Sequence, residues 1–330
     1  MTLTLMSHFN VGPMKPQASS ERSDAGRVRL AAPLSDLADL TGRTAVVTGG
    51  GGGLGLATAR GLARRGADVL LGVRDTERGE RVRRHLIEEH RLRDAQVTVA
   101  HLDLLDLDSV RRFAAEVRRP LDLLVLNAGI SSVPLRLSPQ GVESQFATNH
   151  LGHFALTGHL LTALEEGTDP RVVTVSSALY KGAVLDVDDL AGAHGHSPGR
   201  SYGRSKLANT LFALELERRL RATDSPIRSF AAHPGLARTP MHTTYPSHMT
   251  RLATRAIAAV IGRDPEPAAA PVLAAAASHR VHPGLFWGPV GSRSHPDVLG
   301  VAFVPPATDT SAAARLWTTS TRLTGVHPLD

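Results

Sequence analysis

Seven short strand-like runs, rich in Val, Leu and Ala, recur along the chain at 44–47, 69–73, 96–102, 121–126, 172–176, 227–232 and 284–287. Between them apolar residues return with helical spacing. After the first run, Leu56, Ala59, Leu62 and Ala63 fall on one side, while Arg60, Arg64 and Arg65 fall elsewhere. The pattern predicts further helices at 77–91, at 108–118, at 140–164 as one long element, at 201–220, at 247–262 and 266–278, and at 310–319. Such alternation predicts an α/β fold: a doubly wound, mainly parallel seven-stranded sheet with helices on both faces. No internal repeat and no second domain is visible, so one domain is expected over 39–330. Residues 1–38 mix Pro, Ser, Arg and Asp without periodicity and read as a disordered extension, with 34–40 packing on the domain.

Composition then narrows the function classes. Hydrophobic residues make up 42% of the chain, enough for a sizeable core. There is no cysteine, which removes disulfides, thiol nucleophiles and Cys-based metal sites and fits a reducing compartment. The formal charge is +6, and Lys occurs only at 15, 181 and 206, so 34 of the 37 basic residues are Arg. These arginines are spread through helices among acids, and aromatics are 4%, so the clustered footprint of a nucleic-acid binder is missing. Residues 1–14 lack the basic and apolar regions of a secretory signal. No run approaches the roughly 20 apolar residues needed to span a bilayer. The expected address is the cytoplasm and the expected partner a small molecule, with neither nucleic acid nor membrane involved.

In a sheet of this kind ligands gather at the carboxyl ends of the strands. The first strand ends in Thr48-Gly49-Gly-Gly51-Gly52-Gly53-Leu54-Gly55 and leads into a helix. Glycines there let the backbone turn tightly and approach a ligand, and a helix start suits a pyrophosphate. A flexible linker is the bland alternative. At the second tip stands Val73, where a cofactor lacking the 2′-phosphate usually meets an acid. Arg74 can pair with a 2′-phosphate and Asp75 is the competing residue, so NADP(H) is favoured over NAD(H). Asp103-Leu104 ends the third strand. Asp103 can accept from an adenine amino group or cap the next helix. At the fourth tip, Asn127 can tie neighbouring strands together, and Ala128 and Gly129 let the backbone lie against a cofactor. The fifth ends in Ser176-Ser177. Beyond the loop 182–200, Tyr202 and Lys206 stand one helical turn apart. A cation beside a phenol favours the phenolate and lowers a pKa ordinarily near 10. An ordinary surface pair is the alternative.

Together these residues resemble the short-chain dehydrogenase/reductase family, whose Thr-Gly-x-x-x-Gly-x-Gly pattern matches Thr48, Gly49, Gly53 and Gly55. Asn127-Ala128-Gly129 is similar to its structural motif, with Leu126 where Asn is commoner. Tyr202 and Lys206 match its Tyr-x-x-x-Lys pair, Ser177 its catalytic serine and Asn149 its catalytic asparagine. His233-Pro234-Gly235-Leu236 with Thr239 resembles the segment that holds the nicotinamide carboxamide. The run Asn149-His-Leu-Gly-His-Phe154, the long interval from Ser177 to Tyr202, and Gly288-Pro289 and Leu316-Trp317 resemble the retinol dehydrogenase and WW-domain-containing oxidoreductase branch. The resemblance implies a Rossmann-type fold and hydride transfer between a nicotinamide and a ketone or secondary alcohol. It implies that Ser177 polarises the substrate oxygen and Tyr202 moves the proton. Lys206 would lower the Tyr pKa and bond the ribose, and Asn149 would hold a water linking Lys206 to solvent. A C=C or C=N reductase, or a regulator that has lost catalysis, are the rival readings.

Substrate contacts are expected from Ser177, from Tyr180, and from Met241 and Tyr245 in a segment 240–263 that reads equally as a lid or as a packing helix. A bulky hydrophobic substrate follows from that lining. His150, His153, His194 and His196 form no convincing metal constellation, and no metal is expected. The helices at 140–164 and 202–220 pair subunits in many relatives, so a homodimer or homotetramer is the expected assembly. Leu207, Leu211 and Leu214 serve either that interface or the core.

Overall fold

A computed structural model describes residues 29–117, 120–192, 195–237 and 262–329. In chain order the elements are β1 (Arg29–Ala31), β2 (Thr44–Thr48), α1 (Gly53–Ala63), β3 (Asp68–Val73), α2 (Thr76–His90), β4 (Val97–His101), α3 (Leu107–Glu116), β5 (Leu123–Leu126) and α4 (Ser144–Phe146). A π-helical turn, Ala147–Leu151, joins α4 to α5 (Gly152–Glu165). Then follow β6 (Arg171–Val175), α6 (Pro198–Ala222), β7 (Arg228–Ala232), α7 (Pro265–Ala277), β8 (Leu285–Gly291), β9 (Pro296–Ala302) and α8 (Thr310–Thr324).

The described strands form one sheet in the order β4-β3-β2-β5-β6-β7-β8-β9-β1. From β4 to β8 every pairing is parallel, and β9 runs antiparallel to both β8 and β1. The sheet therefore has nine strands where seven were expected. The two additions carry weak signals: β1 has three residues, and β9 begins on a proline and contains Gly300. The seventh expected strand is longer than 284–287 and turns at Gly291 (φ +73°) into β9. β1 also places the last part of the expected disordered extension in the sheet, and Ala32 and Leu37 are buried. Residues 1–28 lie outside the described residues.

Two apolar layers flank the sheet, as parallel strands buried on both faces require. Leu62 of α1, Leu86 of α2 and Ala269 of α7 pack with Val47, Leu71 and Trp287 on one side. Phe113 of α3, Phe154 of α5 and Leu216 of α6 pack with Val46 and Leu124 on the other. The C-terminal α8 adds to this second layer. Its Trp317 stacks on Phe212 at 6.0 Å between centroids, meets Phe154 edge-on at 5.1 Å, and carries the Arg219 guanidinium 4.4 Å over its ring. Leu207 and Leu211 belong to a third cluster with Tyr180 and Phe286, so both are core residues.

The expected helix 140–164 starts only at Ser144, because the Glu143 carboxylate caps it, accepting from the N–H groups of Gln145 and Phe146. The π-turn then interrupts it at Asn149, a kind of irregularity often found at functional sites. The strand order reverses between β2 and β5: the chain runs outward one way through β3 and β4, and the other way through β6 to β8. A crevice at such a switch point is where this architecture binds ligands.

Candidate active site

A cavity of about 680 Å³ opens at that reversal and runs across the tips of β2 to β7. Gly49, Gly51, Gly52, Gly53, Leu54 and Gly55 line one stretch of it. The turn needs glycine at defined points. Gly49 has φ +70°, and a Cβ on Gly55 would sit 2.4 Å from the Gly49 carbonyl oxygen and 2.5 Å from Asn127 Nδ2. No side chain caps the start of α1 at Gly52, which leaves a cradle of backbone donors suited to a diphosphate. Thr48 itself is fully buried behind the turn. Its Oγ1 accepts the N–H groups of Asn127 at 2.9 Å and Ala128 at 3.0 Å, and Asn127 Nδ2 donates to Thr48 O at 2.8 Å. These bonds weld β2 to β5 beneath the cavity.

Beyond the glycine turn, Arg74, Asp75 and Arg78 line the outer end. Asp75 caps α2, accepting from Arg78 N at 2.9 Å. Arg78 was not foreseen as a site residue. Its Nη2 lies 2.7 Å from where a Cβ on Gly52 would be, so its guanidinium lies against the turn. Spacing from Asp75 puts Arg78 in the first turn of α2, but its direction depends on how α2 packs against the glycine turn. Among the described residues, neither Arg74 nor Arg78 has an ion-pair partner. Further along, Asp103, Leu104, Asn127, Ala128 and Gly129 line the middle of the cavity. Asp103 is not the helix cap: Asp106 caps α3 at 2.9 Å, while Asp103 Oδ1 accepts from Leu105 N at 3.0 Å.

At the other end Ser177, Tyr202, Lys206, Pro234, Gly235 and Leu236 converge on the same space. Ser177 lies two residues beyond β6 and caps a 3₁₀ turn, where its Oγ accepts from Leu179 N at 3.3 Å. Lys206 is 2% exposed; its Nζ donates to Val175 O at 3.0 Å and lies 5.6 Å from the centroid of the Tyr202 ring. Burial lowers the pKa of this ammonium to about 8. Asn149 lies behind the wall. Its Oδ1 accepts from Ile130 N at 2.8 Å, and its Nδ2 donates to Ile130 O at 2.9 Å and to Ser205 Oγ at 3.0 Å. Its side-chain hydrogens are thus both committed, and a water held by Asn149 falls to the remaining lone pairs on its oxygens.

Tyr180 does not reach the cavity. It is fully buried, edge-on to Phe286 at 5.3 Å, with its hydroxyl accepting from Val304 N at 3.4 Å. The neighbouring Leu179, 60% exposed, takes the lining position, with Ala178 beside it. One residue decides this, because the 3₁₀ turn points adjacent side chains in different directions. Thr239, Met241, Tyr245 and the rest of 238–261 lie outside the described residues. His233, whose ring role sequence reasoning missed, lines the reacting end. It stacks on Phe286 at 4.6 Å, its pKa is lowered to about 4 by burial and then by the charge of Lys181, and a Cβ on Gly288 would lie 2.1 Å from its Nε2. Among the described residues no group of three or more His, Asp or Glu could hold a metal.

Residues 43–250 match the family of short chain dehydrogenases. The chain belongs to that family: it is an NAD(P)-dependent oxidoreductase acting on alcohol and carbonyl groups. Within the family it falls in the retinol dehydrogenase branch. It is 38% identical over 291 residues to the polyprenol dehydrogenase of Mus musculus, covering 86% of this chain and 84% of that protein. It is 36% identical over 300 residues to retinol dehydrogenase 14 of Mus musculus, covering 86% of each. Among solved structures, an uncharacterised protein from Mycobacterium paratuberculosis shares 43% identity with a TM-score of 0.73, covering 89% of this chain and 97% of that one. A Beutenbergia cavernae protein described as an NAD(P)-dependent gluconate 5-dehydrogenase, with NADP bound, is 27% identical with a TM-score of 0.57, covering 72% and 91%.

Proposed function

We propose that this chain is an NADP(H)-dependent oxidoreductase interconverting a bulky apolar secondary alcohol and its ketone. The carrying observation is the division of one cavity. Arg74 and Arg78 stand at one end, and Ser177, Tyr202 and Lys206 stand at the other among Ile130, Val175, Leu179 and Leu236. The glycine turn fits a dinucleotide: no side chain caps the start of α1 at Gly52, so backbone donors face the cavity, and Gly55 packs so closely on Gly49 O and Asn127 that only glycine keeps this turn. Arg74 and Arg78 would hold a 2′-phosphate through planar guanidinium forks. Asp75, engaged as a helix cap, is the weaker partner for ribose hydroxyls. When bound, the nicotinamide supplies or accepts the hydride, and the chain supplies alignment and charge placement.

Ser177 donates its hydroxyl hydrogen to the substrate oxygen and polarises the carbonyl. Tyr202 delivers the proton to that oxygen in reduction and removes it in oxidation. The Lys206 ammonium beside the ring favours negative charge on the phenolic oxygen after the proton leaves. Asn149 fixes the Ile130 wall from behind. Leu179 and Leu236 present apolar surface where the rest of the substrate lies. Two relatives are named for polyprenol and retinol, long apolar alcohols whose hydroxyl is primary; their apolar length, not their alcohol class, agrees with that lining.

The test is a panel of apolar alcohols and ketones, with NADPH and NADH followed by absorbance. NADPH-dependent turnover of long-chain substrates is expected, and the Arg74→Ala/Arg78→Ala double variant should lower the NADPH-over-NADH preference by about 10-fold or more, two charge-assisted contacts being lost. Equal use of both cofactors by the unmodified enzyme refutes the NADP(H) assignment. Reduction confined to C=C or C=N substrates refutes the carbonyl assignment.

A further inference from the structure

His153 is a buried polar residue that the mechanism above leaves without a task. It is 2% exposed and lies one turn beyond Asn149, where the π-turn passes into α5. Its ring touches two elements at once. Nδ1 lies 3.0 Å from the main-chain carbonyl oxygen of Asn149, and Nε2 lies 2.9 Å from Thr48 Oγ1. A carbonyl oxygen only accepts, so Nδ1 carries the hydrogen. Thr48 Oγ1 already accepts two backbone N–H groups, from Asn127 and Ala128, which occupy its lone pairs. Its own hydrogen is what remains for Nε2. The alternative acceptor, Val125 O at 3.3 Å, is the poorer one. A second hydrogen on Nε2 would face an oxygen with no lone pair to offer. The ring is therefore neutral and in one tautomer. Burial acts in the same direction and brings its pKa to about 4, the bond to the Asn149 carbonyl opposing it and the Lys206 charge adding to it.

The bonds continue on both sides. Thr48 holds the tip of β2 to Asn127 and Ala128, beneath the glycine turn. Asn149 Nδ2 donates to Ser205 Oγ, which donates to Tyr202 O at 2.8 Å. One imidazole thus bridges the dinucleotide turn and the helix that carries the phenol.

We propose that His153 is a positioning residue for catalysis: as the Nδ1–H tautomer it braces the π-turn against Thr48, fixing the Asn149 carbonyl and, through Asn149 and Ser205, the seat of Tyr202. The role rests on the oxidoreductase reading above. It differs from simple core filling, because a phenyl ring would occupy the volume and make neither bond.

Two measurements test it. Long-range ¹⁵N–¹H spectra of the ligand-free protein report the His153 tautomer, with the signal assigned by its loss in His153→Gln. A neutral Nδ1–H ring at pH 6 is expected, and a neutral Nε2–H ring or an imidazolium there overturns the proposal. In kinetics, His153→Phe should lower kcat about 10- to 100-fold, the scale of a small misplacement of reacting groups, while the Kd for NADPH, read by its fluorescence, moves less than about threefold. His153→Gln, whose amide can donate to Asn149 O, should recover most of that loss at equal thermal stability. An unchanged kcat in His153→Phe overturns the proposal, as does a glutamine variant no better than the phenylalanine one. Should His153→Phe fail to fold, the tautomer and His153→Gln decide. Should the unmodified enzyme turn over no alcohol or ketone with either cofactor, the oxidoreductase reading fails on its own. The tautomer, with the shift of the Ile130 amide in His153→Gln, then still tests the brace.

Discussion

At the residue scale, the chemistry depends on a few atoms whose surroundings are unlike water. Lys206 keeps its ammonium 3.0 Å from a carbonyl oxygen with almost no exposure, and burial brings its pKa to about 8. In the proposed mechanism reduction needs Tyr202 protonated beside a charged Lys206, so kcat/KM for ketone reduction should fall as pH rises through about 8. That profile reports on the free enzyme. The decline is not unfolding: between about 8 and 10.5 the unfolded chain binds the proton that the folded one lacks, so this group makes stability rise with pH. Tyr202→Phe should lower turnover by at least about 100-fold, the contribution expected of a positioned acid, with NADPH affinity nearly intact. Retained turnover would remove Tyr202 from its role. That Tyr202 and Lys206 stand together was legible from their helical spacing, and Ser177 was singled out from the strand tip by the family resemblance; the structure gathers all three in one cavity. Tyr180 was misread, since which of two neighbours in a 3₁₀ turn faces the cavity depends on Phe286 and Val304, more than 100 residues away.

At the scale of elements, caps and interruptions carry information that periodicity does not. Asp75 is a helix cap between two arginines, Arg74 and Arg78, that line the cavity. Asp75→Ala should cost about 0.5–2 kcal/mol, the usual loss of an N-cap, read as a lower melting temperature, with the cofactor preference unchanged. A switch of preference toward NADPH over the unmodified enzyme would instead mean that Asp75 contacts the ribose. The stretch 140–164 reads as one helix because its apolar residues keep near-helical spacing through the break. The π-turn at Ala147–Leu151 depends on what Asn149 and His153 meet elsewhere: Ile130, Ser205 and Thr48.

At the scale of the whole molecule, α8 decides how the second helical layer ends. Trp317 lies on Phe154 and Phe212, and Ser320 Oγ is 2.9 Å from His150 Nε2, so the chain covers part of α5 and α6 with its own tail. Those helices were expected to pair subunits; we propose instead that α8 takes that place. Light scattering should give a monomer, and a dimer that survives dilution would refute the proposal. Trp317→Ala should cost about 3–5 kcal/mol, as removing a buried aromatic does, measured by denaturant unfolding. Acid should also destabilise the fold. Burial lowers the pKa of His150 to about 3 and those of His153 and His233 to about 4, against 6.5 unfolded. Unfolded chains bind the extra protons between these values, so stability is full above about pH 6.5 and is lost as pH falls toward 4. A melting temperature flat across that range would contradict the neutral burial of these rings.

The sequence by itself determined the alternating layers, the glycine turn and the Tyr–Lys pair, because each is written within a few residues by a periodicity, a steric demand or a one-turn spacing. Tertiary structure alone decided that Arg78 faces the glycine turn, that Leu179 and not Tyr180 lines the cavity, that β9 and β1 extend the sheet, and that His153 joins Thr48 to Asn149. Each of those outcomes depends on partners far apart along the chain, which come within hydrogen-bond or van der Waals reach only when the sheet is assembled.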